Sequence, residues 1–337
     1  MLLCGVLVAT SLLIVEQTLH VKHRPLPRSF HPEVPQRLEA AAAALRKAPF
    51  AEEITWRSAG DSVSAAEAEA ALRGIHSAEH IDAVQRMSQT GGDFDADTYC
   101  APGSWEALVD GTAAWMEALD VAACANGPSL ALARPPGHHA TEHGAMGFCL
   151  VNFAAAAVVA HLRTHPNARV AVLDWDVHHG NGIAEILSEH ARARYCSTHE
   201  AGSFPRTGLN QTDRGPLANI LNLPLPSGAS GTTYLRALRR HALPFLLGGE
   251  DAAAEGWGAP DVLLICAGYD GLDGDMVAGL RLHPEDFAES IRAICDEMGF
   301  PAHQIAMGLE GGYDLDPWSG MPGGLVRTTG ALIRWSS

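Results

Sequence analysis

Apolar positions along this chain come in short unbroken runs, not in alternation with polar ones. Leu130-Ala-Leu-Ala133, Arg169-Val-Ala-Val-Leu173, Val262-Leu-Leu-Ile-Cys266 and Ile305-Ala-Met-Gly-Leu309 show no two-residue period. A strand with one wet face alternates, whereas a strand covered on both faces reads as a continuous apolar run. Between these runs lie Ala-, Leu- and Arg-rich stretches at residues 35–47, 77–87, 152–163, 181–190, 232–247, 284–298 and 319–334, which predict helices. A further helix is predicted to start at Ser104, with Pro102-Gly103 as the stop signal before it and Ser104 as its N-cap. Strand, loop and helix therefore take turns, the pattern of an α/β fold with a mostly parallel sheet flanked by helices. The apolar start at residues 1–15 has no basic flank and is shorter than the ~20 residues that span a bilayer, so it reads as a first buried strand and not as a leader or membrane segment.

The residues after each run are polar in a way that packing does not explain. The run ending at Leu173 leads into Asp174-Trp-Asp176-Val-His178-His179-Gly-Asn181. Leu130-Ala-Leu-Ala133 leads into Arg134-Pro-Pro-Gly137-His138-His139, Cys266 into Ala267-Gly-Tyr-Asp270, and Leu309 into Glu310-Gly311-Gly312-Tyr313. Ligands of an open parallel sheet bind outside the carboxyl ends of its strands, so these ends are expected to meet at one site. Asp176 and His178 are two residues apart, which in an extended segment points both the same way. With Asp270 they make three ligands, the number that leaves a catalytic metal an open position. Zn²⁺ fits the set, and with two carboxylates and one imidazole Fe²⁺ competes. His138 and His139 after a Pro-Pro-Gly turn read as an acid/base pair, with Asp174 behind one and Asn181 behind the other. An imidazole backed by an anion is more basic than one backed by a neutral amide, which separates the two roles. Tyr313, after two glycines, is placed to donate to an oxyanion. Phe148 and Phe204, in loops near these motifs, are candidates for the walls of a narrow apolar channel.

Composition narrows the ligand. The formal net charge of −16 argues against a nucleic-acid backbone as partner and leaves cationic substrates open. Seven cysteines without a CxxC or CxxH pair read as reduced, mostly buried thiols of a cytoplasmic protein. No heptad or large apolar surface run calls for a particular oligomer.

Together these motifs resemble the histone deacetylase superfamily, which includes acetylpolyamine amidohydrolases. His31-Pro-Glu-Val-Pro-Gln-Arg37-Leu resembles the family opening HPExPxRL, and the stretch from Asp97 to Glu106 resembles class II-like bacterial members. RPPGHHA, GFC, DWDVHHGNG, NLPLPSG, AGYD and LEGGYDL come in the family order. The resemblance covers roughly residues 31–332 of one catalytic domain spanning 1–337, and residues 1–30 match poorly. It implies the arginase/deacetylase fold with a central sheet of eight strands. It also implies Asp176, His178 and Asp270 as zinc ligands, His139 as general base beside His138, and Tyr313 as the transition-state hydroxyl. Gly147, Phe148 and Phe204 would line an acyl-lysine tunnel. Asp174, Asp176, His178, Ser197 and Thr198 would hold a structural K⁺. Val277 stands where polyamine deacetylases carry an acidic gatekeeper, so the implied substrate is an acetylated lysine on a protein, with a small acetylated amine as the alternative; Asp273 or Asp275 could still bring a carboxylate to the mouth. The related ureohydrolases need a second metal, but Leu272 stands two residues after Asp270 where further ligands would be required. A non-catalytic acyl-group reader would not need Tyr313 and the histidine pair.

Overall fold

The computed structural model describes residues 11–25, 30–248 and 257–336. Its strands are β1 (Leu12–Glu16), β2 (Ile54–Ser58), β3 (Gly92–Asp93), β4 (Tyr99–Cys100), β5 (Ser129–Leu132), β6 (Val170–Asp174), β7 (Ala193–Glu200), β8 (Ile220–Leu225), β9 (Val262–Ala267) and β10 (Ile305–Leu309). β3 and β4 form a small antiparallel pair; the other eight make one parallel sheet in the order β2-β1-β5-β10-β9-β6-β7-β8. The expected arginase/deacetylase sheet is present. The four unbroken apolar runs are its adjacent central strands β5, β10, β9 and β6, which is why their polar tails converge.

The helices are α1 (Gln36–Arg46), α2 (Ala65–Arg73), α3 (Ala78–Thr90), α4 (Ser104–Ala123), α5 (Phe153–Thr164), α6 (Asn181–Leu187), α7 (Gly231–Ala237), α8 (Leu243–Leu247), α9 (Pro284–Arg292) and α10 (Met321–Ser336). Successive residues of the central strands enter opposite cores. Leu12, Ile14, Leu263 and Ile265 belong to one apolar cluster, and Leu13, Val15, Leu264 and Cys266 to the other. This two-sided burial is the physical content of the unbroken apolar runs. No described helix is long and apolar enough to cross a membrane.

Some boundaries differ from the sequence expectation. Ser104 is the first helical residue of α4, not its N-cap; Gly103 caps at φ 90°, while Ser104 Oγ turns back to accept from the Ala101 N–H at 2.8 Å and to pair with His23 Nδ1 at 2.8 Å. The helix expected over 232–247 is α7 and α8 joined by a widened π turn at Leu238–Ala242. The helix expected from Asn181 to 190 ends at Leu187.

Residues 1–10 of the expected first strand lie outside the described residues, but Leu12–Glu16 is β1, between β2 and β5. Leu12–Glu16, which the family resemblance does not reach, is thus part of the scaffold. Gln17, fully buried, receives the Arg134 N–H at 2.9 Å and donates to the Ala107 carbonyl at 2.6 Å, anchoring the start of the histidine loop.

Candidate active site

The loop after β6 turns Asp176 and His178 toward Asp270, which comes just after β9. His178 Nδ1 lies 3.2 Å from both Asp176 Oδ1 and Asp270 Oδ2, and the ligand atoms of the three residues lie within 4.8 Å of one another. Asp176 and Asp270 are almost fully buried. Their remaining oxygens accept from backbone N–H groups, of Gly311 at 2.8 Å for Asp176 and of Val177 at 3.1 Å for Asp270. A Cβ on Gly311 would collide with both carboxylates, so only glycine permits that approach. Among the described residues no lysine or arginine pairs with the three, whose ion pairs run from His178 to Asp176 and Asp270. Burial, and then the Asp176 charge, push Asp270 up to about 6. Burial opposes an imidazolium at His178, yet its bonds to Asp176 and Asp270 lift it to about 10. In the metal-free protein a proton on His178 is therefore the cation between two buried carboxylates. A divalent ion suits this donor set, because it supplies the missing positive charge.

The histidine pair stands beside this cluster. His138 and His139 are buried, with ring centroids 4.0 Å apart. His138 Nδ1 donates to Asp174 Oδ2 at 3.1 Å, and His139 Nδ1 donates to Asn181 Oδ1 at 2.9 Å. Those acceptors fix the tautomers with Nε2 directed away from them, and Nε2 of His138 lies 3.7 Å from Asp176 Oδ1. Burial disfavours the charged form of both rings. At His138 the charges of Asp176 and Asp174 overcome it and raise the pKa well above the usual histidine value. At His139 burial is joined by repulsion from His138 and His178, and the pKa falls well below that value. The anion-backed and amide-backed rings diverge in the expected sense.

Tyr313 is buried, with Arg37 Cζ 4.6 Å from its ring centroid and Phe148 edge-on at 5.5 Å. Burial, opposed by Arg37, raises its hydroxyl well above the usual tyrosine value, so it remains a donor. Phe204 stands edge-on to His139 at 5.0 Å. Each aromatic expected to line a channel is thus in contact with one candidate catalytic side chain, Phe204 with His139 and Phe148 with Tyr313. Gly147 separates them at φ +57°, where a Cβ would lie 2.6 Å from both His139 Cδ2 and Phe204 Cε1.

A Histone deacetylase domain model matches residues 31–326. The chain belongs to the histone deacetylase family. It is 34% identical to histone deacetylase 15 of Arabidopsis thaliana over 90% of this chain and 52% of that protein, and so spans about half of the plant protein's length. It is 32% identical to a histone deacetylase-like amidohydrolase of Pseudomonas aeruginosa over 71% of this chain and 62% of that one. The crystal structure of the HDA15 HD domain superimposes with a TM-score of 0.79 at 30% identity, covering 96% of this chain and 88% of that one. The family is one of hydrolases, with deacetylases and an amidohydrolase among these relatives.

Other residues of the family motifs take less expected places. Asp275, a candidate for the mouth, is buried, and its Oδ2 accepts from the N–H groups of Tyr313 at 2.7 Å and Asp314 at 3.0 Å. It holds the Tyr313 loop and has no oxygen at a rim. Its Oδ1 accepts from the Val277 N–H at 3.1 Å, and Val277 is partly buried on the same loop. Asp273 is exposed. Asp174, Ser197 and Thr198 meet where β6 pairs with β7: Asp174 is in register with Ser197, and Thr198 Oγ1 donates to the Asp174 carbonyl at 3.4 Å.

Sequence reasoning assigned no role to four groups that support the site. Tyr195 donates to Asp174 Oδ2 at 2.8 Å, sharing with His138 the oxygen that orients it. Glu310 accepts from the N–H groups of Gly137 at 2.6 Å and His138 at 3.2 Å, and burial pushes its carboxyl up to about 8 against the pull of His138. Arg37 donates to the Gly312 carbonyl at 2.8 Å and to that of Glu310 at 2.5 Å. Glu33 accepts from Arg134 Nε at 2.8 Å, from Tyr99 at 3.0 Å and from Arg37 at 3.3 Å, all within the protein interior. The HPE and RPP motifs carried these residues, but a motif letter does not reveal an ion pair across 101 residues of chain.

Two substitutions around the site have expected effects. Burial would raise Glu33, but Arg134, His23 and Arg37 overcome it and lower it from 4.5 to about 2. Because the folded value lies below the unfolded one, its contribution is complete above about pH 4.5 and is lost as pH falls toward 2. Glu33→Ala strands two buried guanidinium groups and is expected to cost about 3–5 kcal/mol in urea unfolding at pH 7. Gly147→Ala is expected to lower kcat/KM by about 10–10² through displacement of His139 or Phe204, with metal content unchanged. Parental kinetics in that variant would show that neither ring's position matters.

Proposed function

We propose that this family member hydrolyses the amide of an N-acetylated amine, with an acetyl-lysine side chain as substrate, releasing acetate and the free amine. The observation that carries the reading is the pair of adjacent imidazoles, ring centroids 4.0 Å apart and tuned in opposite directions, beside a three-residue cluster of candidate ligands and a protonated tyrosine. Asp176, His178 and Asp270 would hold one divalent ion, Zn²⁺ or Fe²⁺. Bound there, it supplies Lewis acidity toward the acetyl carbonyl and acidifies a water.

The chain's own residues do the rest. His139, kept neutral, takes the proton of the attacking water at Nε2 while Asn181 fixes its Nδ1–H. Tyr313 donates to the negative charge that develops on the acyl oxygen. An imidazolium of the pair protonates the departing amine, and Asp174 stabilises that charge at His138. Phe148 and Phe204 flank a methylene stem and exclude water from it. Asp174, Asp176, His178, Ser197 and Thr198 would hold a structural K⁺ behind the site. One catalytic domain over the whole chain, in a reducing cytoplasm, with neither nucleic acid nor membrane as partner, completes the reading.

A polyamine would need a carboxylate for its second ammonium group. Val277 offers none, and Asp275 is committed to the Tyr313 loop. The expected result is a kcat/KM at least tenfold higher for an acetyl-lysine peptide than for N-acetylputrescine. A tenfold advantage for the polyamine, about 1.4 kcal/mol of transition-state discrimination, would overturn the substrate assignment. Absence of hydrolysis of either, with metal bound, would overturn the activity.

A further inference from the structure

The segment from Ala140 to Asn152 links the two sides of the site. It leaves the histidine pair, passes through Gly147 and Phe148, and ends at the N-cap of α5. Its backbone is strained at the tunnel wall. Gly147 and Phe148 lie in the left-handed region at φ 57° and 68°, and a bulky residue keeps that conformation only where its surroundings impose it. The Phe148 N–H donates to Thr98 Oγ1 at 3.1 Å, and Met146 and Cys149 exchange backbone bonds at 3.1 and 2.9 Å. These fix the tip of the segment. Its two ends are fixed from elsewhere.

The junction between α2 and α3, His76-Ser77-Ala-Glu-His80, grips both ends at once. At the first end, His76 Nδ1 donates to the Thr141 carbonyl at 2.8 Å, and the Ser77 N–H donates to the Glu142 carbonyl at 2.9 Å. At the second, the Asn152 N–H donates to His76 Nε2 at 2.9 Å, and His80 Nε2 donates to the Leu150 carbonyl at 2.9 Å. Asn152 Nδ2 closes the loop by donating to the Ala140 carbonyl at 2.9 Å. Both imidazoles are buried, with ring centroids 5.0 Å apart. The partners dictate the state of His76. A carbonyl only accepts and a backbone N–H only donates, so the ring must carry its proton on Nδ1 and a lone pair on Nε2. Burial, joined by repulsion from His80, holds His76 down to about 3, and burial lowers His80 as well, so both rings are neutral at pH 7.

We propose that His76 and His80 are positioning residues of the active site. Through Thr141, Leu150 and Asn152 they hold the 140–152 segment in the shape that seats His139 and sets Phe148 against Tyr313. They act through the backbone and touch no reacting atom. Displacement of such a segment by about 1 Å is enough to slow a reaction by about 10²-fold. The kinetic consequence rests on the proposed hydrolysis; the conformational one does not.

The test compares His76→Phe with His76→Gln in the metal-loaded protein. Phenylalanine keeps a ring beside His80 and loses both bonds, whereas glutamine offers one donor and one acceptor to replace them. Amide hydrogen exchange is read by mass on peptides covering 140–152, with β6 and β9 as internal controls. The expected result for His76→Phe is exchange about tenfold faster or more within 140–152 and parental rates in β6 and β9. Its kcat/KM for an acetyl-lysine peptide should fall by about tenfold or more at unchanged metal content, and His76→Gln should recover most of both. His80→Phe removes only the bond to Leu150, and a smaller change confined to the same segment is expected. It carries the test where His76→Phe does not fold. Parental exchange in 140–152, an increase shared equally by β6 and β9, or a glutamine variant no better than phenylalanine would each overturn the proposal. A parent protein that cleaves no acetyl-lysine peptide would instead count against the proposed hydrolysis, and the exchange result would still decide the clamp.

Discussion

Asp270→Ala is expected to empty the buried metal centre and abolish turnover in one step. In the proposed centre Asp270 is one of three ligands, and it comes from a different strand end than the other two. Its removal leaves Asp176 and His178, which already bond each other at 3.2 Å and satisfy one another without an ion. Two ligands in a buried pocket hold a divalent ion poorly, and the folding free energy that metal binding contributes is lost with it. Elemental analysis should fall from about one equivalent per chain to near none. Asp270→Asn tests the same point more gently. It keeps an oxygen to accept from the Val177 N–H, and it removes the charge that burial and Asp176 already strain. Its metal affinity should drop while the fold survives. Full occupancy in either variant would show that Asp270 is not a ligand. Two equivalents of Mn in the parent protein would favour the two-metal ureohydrolase chemistry.

Much of this centre was legible in the sequence because the signal was short-range. The i, i+2 spacing of Asp176 and His178 predicts a shared side, and the structure reaches that result through a bend after β6, not through continued strand; an apolar run that ends in candidate ligands says where they sit. Convergence of the four runs was also legible, since parallel strands place their carboxyl ends together. The adjacency of β5, β10, β9 and β6 was not, because nothing local in Ile305–Leu309 specifies β5 and β9 as its neighbours.

The supporting shell was illegible for a different reason. Tyr195 lies within a fully buried strand, where an aromatic among Ala, Arg and Cys reads as core. Only the register of β7 against β6 brings its hydroxyl to Asp174. Asp275 stood near the motif and read as a loop carboxylate free to reach solvent. Its two bonds to the Tyr313 loop depend on how the segments after β9 and β10 fold against each other, a contact across 38 residues. Ser104 misled by residue type: a serine before a helical stretch is a good N-cap, but Gly103 holds the cap position in a left-handed conformation that glycine tolerates, and Ser104 bonds back into the loop instead.

Tyr313→Phe is expected to leave metal content and KM near the parental values and to lower kcat by about 10²–10³, or roughly 2.7–4 kcal/mol. The ring's own contacts are independent of the hydroxyl. Arg37 lies over its face and Phe148 meets it edge-on, and phenylalanine keeps both. The loop is held from the backbone, by the N–H groups of residues 313 and 314 on Asp275, and these too remain. What is removed is one donor whose pKa burial holds well above the usual tyrosine value. That donor does its work when charge appears on the acyl oxygen, so its loss falls on the transition state and not on ground-state binding. A matched fall in metal content would make Tyr313 a support of the centre. An unchanged kcat would make it a packing residue, and the assignment of the oxyanion donor would have to move to another group.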